Sequence, residues 1–195
     1  MHIIKHRINT SAELFSLNPN YGAEVDIRTD AGRLIIHHDP MTRGELFADW
    51  IQQYQHGTLI LNVKEEGLEA PLLELMKKHK IKDFFLLDQS IPFLIKTAKA
   101  GERRCAVRLS EFESIETVTN LTPLIDWVWI DCFSKFPFSE KVVSQIKTLG
   151  LKTCLVSPEL QGRFNISEIV DARKKMYSLS FFPTAVCTKR PEIWQ

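Results

Sequence analysis

The stretch Thr58-Leu59-Ile60-Leu61-Asn62-Val63-Lys64 is a short apolar run that ends among polar side chains. A run of this kind, without regular polar alternation, is typical of a parallel strand that helices cover on both faces. Trp127-Val128-Trp129-Ile130 shows the same pattern, and similar runs alternate along the chain with segments of helical spacing. This alternation predicts a parallel α/β fold.

Eight strand units are predicted, one of them a hairpin around Thr29-Asp30-Ala31-Gly32. Eight units favour a closed (β/α)8 TIM barrel over an open sheet, and no linker divides the chain, so we expect one domain over residues 1–195. Such a barrel typically takes roughly 250 residues, so we expect a compact version with degenerate or missing helices. The predicted strands are His2–Arg7, Ala23–Arg28 with Arg33–His38, Thr58–Lys64, Asp83–Asp88, Arg104–Leu109, Trp127–Cys132, Lys152–Val156 and Ser180–Cys187.

Amphipathic segments between the strands predict helices. Apolar side chains share one face over residues 46–54, over 72–76 and over 142–149, where Gly150 is predicted to end the helix. Asn165-Ile166-Ser167-Glu168 has the spacing of a capping box. The segment between the first two strands leaves room for at most a short helix around Ser11–Leu17.

Charge and composition describe an ordinary globular chain. The 195 residues include 25 Lys and Arg against 24 Asp and Glu, and 44% of them are hydrophobic. This excludes a disordered chain, a collagen-like repeat and a disulfide scaffold. The formal net charge of +1 also argues against a nucleic-acid partner, because binding to a phosphate backbone relies on a large positive excess.

We expect a cytoplasmic protein that does not span a membrane. Residues Met1–Arg7 contain no apolar signal core, and the longest apolar runs fall far short of the ~20 residues that a membrane span needs. The 4 cysteines stand singly, without a CxxC pair, which favours buried free thiols.

Polar side chains gather near the carboxyl ends of most predicted strands. In a barrel this end forms the active-site rim, so the repeated pattern predicts one shared site. Glu24 and Asp26 lie two residues apart, as do Asn62 and Lys64, so each pair leaves its strand on one face. The full set is His6, Arg7, Glu24, Asp26, His37, His38, Asp39, Asn62, Lys64, Asp88, Arg108 and Asp131.

This mixture of side chains favours phosphate chemistry. Two carboxylates on one face can hold a divalent cation such as Mg²⁺ or Ca²⁺, and two histidines can act as general acid and general base near neutral pH. Arg and Lys can stabilise the charge on a pentacoordinate phosphorus. No GxGxxG, P-loop or GxSxG pattern favours another reaction. We therefore predict metal-assisted cleavage of a small-molecule phosphodiester.

The order of four short motifs resembles a known family. The segments are His6-Arg7, Gly22-Ala23-Glu24-Val25-Asp26-Ile27, Ile35-Ile36-His37-His38-Asp39-Pro40 and Asn62-Val63-Lys64. They are similar to the motifs of the glycerophosphodiester phosphodiesterases, within the phospholipase C-like phosphodiesterase superfamily, and Ala185–Pro191 is similar to that family's closing segment. The resemblance implies a TIM barrel and a phosphoric diester hydrolase of lipid metabolism.

The resemblance also implies a role for each matching residue. His6 and His38 would be the acid–base pair, and His38 is preferred to His37 because it directly precedes Asp39-Pro40. The ligands of a Mg²⁺ or Ca²⁺ ion would be Glu24, Asp26 and Asn62. The phosphate contacts would be Arg7 and Lys64. Further candidates at the rim are Asp39, Asp88, Arg108 and Asp131.

The sequence departs from the family pattern within two of its motifs. Asn62 stands where the family has a third acidic ligand, and because an amide contributes no charge, we expect weaker metal binding. Ile8 replaces the usual Gly after His-Arg, and the Glu-Asn-Thr segment that normally follows is absent.

Two other functions stay open at this stage. One is a non-catalytic or altered-function barrel that binds a phosphate or sugar-phosphate ligand in cell-surface glycan or lipid metabolism, and Asn62 favours it. The other is a structural interaction module whose polar strand ends are incidental. Arg108 and Asp131 can equally form a structural pair. The alcohols of the diester and the oligomeric state are not determined by the sequence.

Overall fold

The computed structural model describes residues 1–195 and confirms the mixed α/β fold. The strands are β1 (His2–Lys5), β2 (Gly22–Asp30), β3 (Arg33–Ile36), β4 (Glu45–Leu46), β5 (Leu59–Val63), β6 (Phe84–Leu87), β7 (Ala106–Leu109), β8 (Trp127–Ile130), β9 (Lys152–Val156) and β10 (Ala185–Thr188). The α-helices are α1 (Ser11–Ser16), α2 (Phe47–Trp50), α3 (Glu69–Lys78), α4 (Ile91–Lys99), α5 (Ile115–Leu121), α6 (Glu140–Leu149), α7 (Ile166–Ser178) and α8 (Pro191–Trp194). The 3₁₀ helices are Ile51–Gln53, Thr122–Leu124 and Pro158–Gln161.

The chain forms two compact units. The N-terminal unit comprises Ile4–Cys105, and the C-terminal unit comprises Ala106–Gln195 together with Met1–Ile3. The one-domain organisation therefore stays a prediction, as does the closure of the strands into a barrel. None of the helices combines the length and the apolar character that a membrane crossing requires.

In the N-terminal unit, β2 is the central strand of a parallel arrangement. It pairs with β1 on one side and with β5 on the other, and β5 pairs with β6. Every residue of β5 and β6 is buried, which explains their nearly uninterrupted apolar sequences. Beyond the parallel part, β2 continues into an antiparallel hairpin with β3.

The predicted hairpin is confirmed, with a shorter second arm. Ala31 and Gly32 form its turn with φ angles of +48° and +75°, as a two-residue type I′ turn requires. The second arm, β3, ends at Ile36 rather than at His38. His37 and His38 therefore lie in the segment that follows the strand.

In the C-terminal unit, β7, β8, β9 and β10 pair side by side in parallel. Gly150 ends α6 with a φ of +66°, as its position predicts. The last strand begins at Ala185 instead of Ser180. The reason is that Ser180 and Phe181 close α7, because their N–H groups donate to the carbonyls of Tyr177 and Met176.

Two predicted helical features differ in detail. The segment over residues 46–54 begins as β4, continues as α2 and ends as a 3₁₀ helix, although Phe47, Trp50 and Tyr54 are buried on one face as expected. At α7, Asn165 caps the helix by accepting from the Ser167 N–H, whereas Glu168 pairs with Arg163 at 3.0 Å. A complete capping box occurs instead at α1, between its residues 10 and 13.

Gly22 supports the first test of the fold. A methyl group on its Cα would collide with the carbonyl oxygen of Thr58, beside the start of β5. We expect Gly22→Ala to lower the free energy of unfolding by about 2–3 kcal/mol, since backbone must move to make room. Gly32→Ala is the comparison: nothing lies within 4 Å of its added methyl, so only the positive φ costs energy, about 1 kcal/mol. Urea unfolding measures both, and equal losses would contradict the collision.

Candidate active site

Two carboxylates in the parallel part of β2 form the centre of the candidate site. Glu24 and Asp26 lie on the same face of the strand, and both side chains are fully buried. The register between β2 and β5 places Asp26 directly opposite Asn62. Because β5 is parallel to β2, its polar end lies beside these carboxylates, as the sequence predicts.

Each oxygen of the two carboxylates accepts from a donor of the protein. Asn62 Nδ2 donates to Glu24 Oε1 at 2.8 Å and to Asp26 Oδ1 at 3.2 Å. The Arg7 backbone N–H donates to Glu24 Oε2 at 2.7 Å. Asn9 Nδ2 donates to Asp26 Oδ2 at 2.8 Å. The amide of Asn62 thus bridges the two carboxylates.

Three cationic or titratable side chains surround this pair. Lys64 Nζ lies 3.3 Å from Asp26 Oδ1, and Arg7 Nε lies 3.6 Å from Asp26 Oδ2. His6 Nε2 lies 3.7 Å from Glu24 Oε2. The buried negative charges are therefore balanced locally by the residues that the sequence assigned to phosphate contact and to acid–base chemistry.

The environment of Glu24 favours its protonated form. Burial, together with the nearby charge of Asp26, raises the pKa of Glu24 from 4.5 to about 7, although the hydrogen bond from Asn62 lowers it. Loss of hydration destabilises the charged form of a carboxyl group. The carboxylate pair is therefore able to hold a proton near neutral pH.

The turn after β1 directs its backbone toward Glu24. Arg7 has a φ of +54°, an uncommon conformation for a residue other than glycine. The N–H groups of Arg7 and Ile8 donate to the carboxylate and to the backbone carbonyl of Glu24. This turn holds the side chains of His6 and Arg7 beside β2.

Lys64 connects the carboxylates with the end of β6. Its Nζ also lies 3.4 Å from Asp88 Oδ2. A cavity of about 200 Å³ opens here between the segments after β5 and β6, and its lining includes Lys64, Glu65, Glu69, Asp88, Gln89 and Ser90. Asp88, a rim candidate in the sequence, therefore belongs to the same network as Lys64.

His38 lies in the segment after β3 and forms a dyad with Asp39. His38 Nδ1 donates to Asp39 Oδ1 at 2.7 Å, and 40% of the His38 side chain is exposed. The hydrogen bond from His38 lowers the pKa of Asp39, and the charge of Arg7 acts in the same direction. This segment is tied to β2, because the His37 N–H donates to the Asp26 carbonyl at 3.0 Å.

Asn9 is a site residue that the sequence analysis did not identify. In addition to its bond to the Asp26 carboxylate, its Oδ1 accepts from the Asp26 backbone N–H at 3.1 Å. Asn9 therefore contacts both the side chain and the main chain of Asp26. Its position shortly after His6-Arg7 was the only signal in the sequence, and position alone does not indicate such a contact.

The remaining rim candidates lie in the C-terminal unit and pair with each other. Arg108 Nη1 donates to Asp131 Oδ2 at 2.5 Å, and Gln161 Nε2 donates to Asp131 Oδ1 at 2.5 Å. Asp131 is fully buried. The pair that the sequence left open therefore forms, and a role of these two residues at the rim stays a prediction.

Asp131 supports a prediction about pH. Burial raises the pKa of Asp131 from 3.8 to about 6, although Arg108 and Gln161 lower it. The folded state then holds this proton more tightly than the unfolded state does. Its contribution to the free energy of unfolding therefore falls as the pH rises from about 4 to about 6, by on the order of 3 kcal/mol.

The Asp131→Asn variant tests this dependence. Urea unfolding of the variant and the wild type at pH 4, 5, 6 and 7 gives a stability difference at each pH. We expect this difference to change with pH below 6 and to level off above it. A constant difference would contradict a raised pKa at Asp131.

Another buried carboxylate of the C-terminal unit, that of Glu159, holds the segment Ala185–Pro191. Glu159 Oε1 accepts from Thr188 Oγ1 at 2.5 Å and from the Lys189 N–H at 3.0 Å. Ser157 donates to its other oxygen. These hydrogen bonds from Thr188 and Lys189 therefore fix the end of β10.

The donors at Glu24 and Asp26 do not fit a divalent cation as they are arranged. Mg²⁺ and Ca²⁺ need six or more oxygen ligands, whereas Asn62 presents its Nδ2 to both carboxylates. The buried Oδ1 of Asn62 has no hydrogen-bond partner. In residues 1–195, no group of three or more His, Cys, Asp or Glu side chains is placed to hold a metal.

Solved structures with a similar fold identify the architecture. A glycerophosphodiester phosphodiesterase from Thermotoga maritima matches with a TM-score of 0.72 and 15% identity, over 98% of this chain and 96% of that one. One from Agrobacterium tumefaciens matches with a TM-score of 0.70 and 13% identity, over 99% and 98%. The chain has the fold of these phosphodiesterases.

A third structure extends the comparison. A glycerophosphoryl diester phosphodiesterase from Parabacteroides distasonis matches with a TM-score of 0.68 and 11% identity, over 98% of this chain and 84% of that one. No protein-family model and no curated protein matches the sequence. The resemblance noted in the short motifs is thus confirmed by the fold over nearly the whole chain.

Proposed function

We propose that this protein is a phosphodiester hydrolase of the glycerophosphodiester phosphodiesterase type. The observation that carries the proposal is the network of His6, Arg7, Glu24, Asp26 and Lys64, which lie at the carboxyl ends of β1 and β5 and in the parallel part of β2. Its residues are the ones whose order resembles that family, and the fold is shared with the solved phosphodiesterases. The expected TIM barrel, membership of the family and a role in lipid metabolism belong to this proposal.

The cations of the network would bind the phosphate. Arg7 and Lys64 both lie within 3.6 Å of Asp26, which holds their side chains in position. Guanidinium and ammonium groups stabilise the additional negative charge that a phosphoryl centre gains as the nucleophile adds. In this mechanism Asp26 positions the two cations and has no contact with the substrate.

The two histidines would transfer the protons. One removes a proton from the attacking water or hydroxyl while the new bond to phosphorus forms, and the other protonates the alkoxide that leaves as the old bond breaks. Asp39 would hold His38 through Nδ1, at 2.7 Å, and leave Nε2 for this transfer. Glu24 Oε2 lies 3.7 Å from His6 Nε2 and would orient the His6 ring electrostatically.

The test is hydrolysis of a panel of diesters by the purified protein. The panel contains glycerophosphodiesters and phosphodiester-linked sugars, each incubated with EDTA or with added Mg²⁺ or Ca²⁺. Release of a phosphomonoester and an alcohol supports the proposal. Absence of turnover with every diester under every condition would reject it.

A second candidate is a barrel that binds a phosphate or sugar-phosphate ligand without cleaving it. Asn62 favours it, because its amide occupies the carboxylates that would otherwise hold a metal. Saturable binding of the same diesters by calorimetry, together with absence of turnover, would select this function.

A further inference from the structure

The position of the Asn62 amide is the starting point of the inference. One Nδ2 group donates to two carboxylates that are both fully buried. Hydrogen bonds from a neutral donor to a charged acceptor are stronger than neutral pairs. The donor therefore lies between Glu24 and Asp26, where a shared cation would otherwise reduce their repulsion.

The charges of the cluster nearly balance without a metal ion. Glu24 and Asp26 carry two formal negative charges when ionised, and Lys64 and Arg7 supply two positive charges at 3.3 Å and 3.6 Å from Asp26. Asp88, 3.4 Å from Lys64, adds one more negative charge. Adding a divalent cation would leave an excess of positive charge beside buried side chains, which is unfavourable. Lys64 would also have to leave Asp26.

Rotation of the Asn62 amide would also oppose metal binding. For Oδ1 to coordinate a cation, the amide must rotate by about 180°, and both bonds from Nδ2 would be lost. In the present orientation Nδ2 has two partners, whereas the buried Oδ1 has none. The pattern of partners therefore favours the orientation in which Asn62 donates.

We propose that Asn62 and Lys64 replace a divalent cation at this site, so that the carboxylate pair is held together without metal. The Asn62 amide bridges the carboxylates, and the Lys64 ammonium supplies the charge. Two experiments test this inference. The one that measures turnover rests on the proposed function, whereas the one that measures metal binding does not.

The binding experiment compares the wild type with a variant that restores an acidic side chain. Wild-type protein is titrated with Mg²⁺, Ca²⁺ and Mn²⁺ to millimolar concentration by calorimetry, and its Tm is measured with each metal and with EDTA. We expect no binding heat and no change in Tm. For Asn62→Asp we expect binding, with a Tm rise of about 5–10 °C at 100-fold above the Kd.

Matched variants control for added charge and for folding. Asn120→Asp adds the same charge at an exposed position and should show no metal effect. If Asn62→Asp fails to fold without metal, the wild-type titration still decides. Sub-millimolar binding to the wild type that disappears in Glu24→Gln would overturn the inference.

The activity experiment separates this inference from the proposed function. Turnover that is unchanged by EDTA supports both. Turnover that EDTA abolishes and metal restores would overturn the inference and leave the proposed function in place. Absence of both turnover and metal binding would reject the proposed function and support the inference about the carboxylate pair.

Discussion

His6→Ala is expected to lower kcat/KM on a cleaved phosphodiester by about 10²–10⁴-fold, the usual contribution of a positioned proton-transfer group. The His6 ring lies 3.7 Å from the buried Glu24 carboxylate, and 15% of its side chain is exposed, so it is both oriented and accessible. The substitution removes no apolar packing from the buried core. Circular dichroism and urea unfolding should therefore show a folded variant.

A variant of the second histidine and a control variant make the test more specific. His38→Ala should reduce turnover by a similar factor, because the proton step at the other oxygen of the diester would lose its donor or acceptor. His2→Ala changes an exposed histidine at the start of β1 and should retain wild-type kinetics. If His6→Ala and His38→Ala both turned over like the His2→Ala variant, the acid–base mechanism would be wrong.

The strand pattern was predictable because parallel strands are buried on both faces. Leu59–Val63 and Trp127–Ile130 carry that signal in their composition, and both form strands. The start of β10 was predicted wrongly, since the aromatic residues Phe181 and Phe182 resemble a strand in sequence. Their backbone instead follows the end of α7, and Phe181 packs against Phe138 with ring centroids 5.0 Å apart.

The shared face of the site residues was also predictable from the sequence. The period of two along a strand places Glu24 with Asp26, and parallel pairing places Asn62 opposite Asp26. Parallel pairing of β7 and β8 also brings Arg108 and Asp131 together at the ends of these strands, but it does not predict what they do there. Their opposite charges form a pair within the C-terminal unit, and nothing in the spacing of two charges distinguishes an ion pair from a ligand site.

Contacts that depend on side-chain orientation could not be predicted. Whether Asn62 presents its oxygen or its nitrogen is decided by the groups it faces, and the oxygens of Glu24 and Asp26 accept from its Nδ2. The double contact of Asn9 with Asp26 depends on the unusual backbone of Arg7, whose φ is +54°. Such a conformation is rare outside glycine, and the sequence His6-Arg7-Ile8 contains no sign of it.

Lys64→Met is expected to reduce both stability and turnover. Its Nζ lies 3.3 Å from Asp26 Oδ1. Without it the buried carboxylate keeps only Arg7 as a cationic partner, at 3.6 Å, and this loss of compensation costs about 3 kcal/mol. Methionine keeps the length of the apolar stem and removes only the ammonium. Because the proposed phosphate contact is lost as well, we expect kcat/KM to fall by about 10²-fold.

The double variant Lys64→Met/Asp26→Asn separates these two effects. With the side chain at position 26 neutral, the buried carboxylate that lost its ammonium partner is gone, so we expect urea unfolding to show most of the lost stability regained. Turnover should stay as low as in Lys64→Met, since the neutral amide introduced by Asp26→Asn cannot replace a cation at the phosphate. Asp26→Asn alone is the reference for the kinetics. If the double variant turned over as fast as that reference, Lys64 would act only through Asp26, and its assignment as a phosphate contact would be wrong.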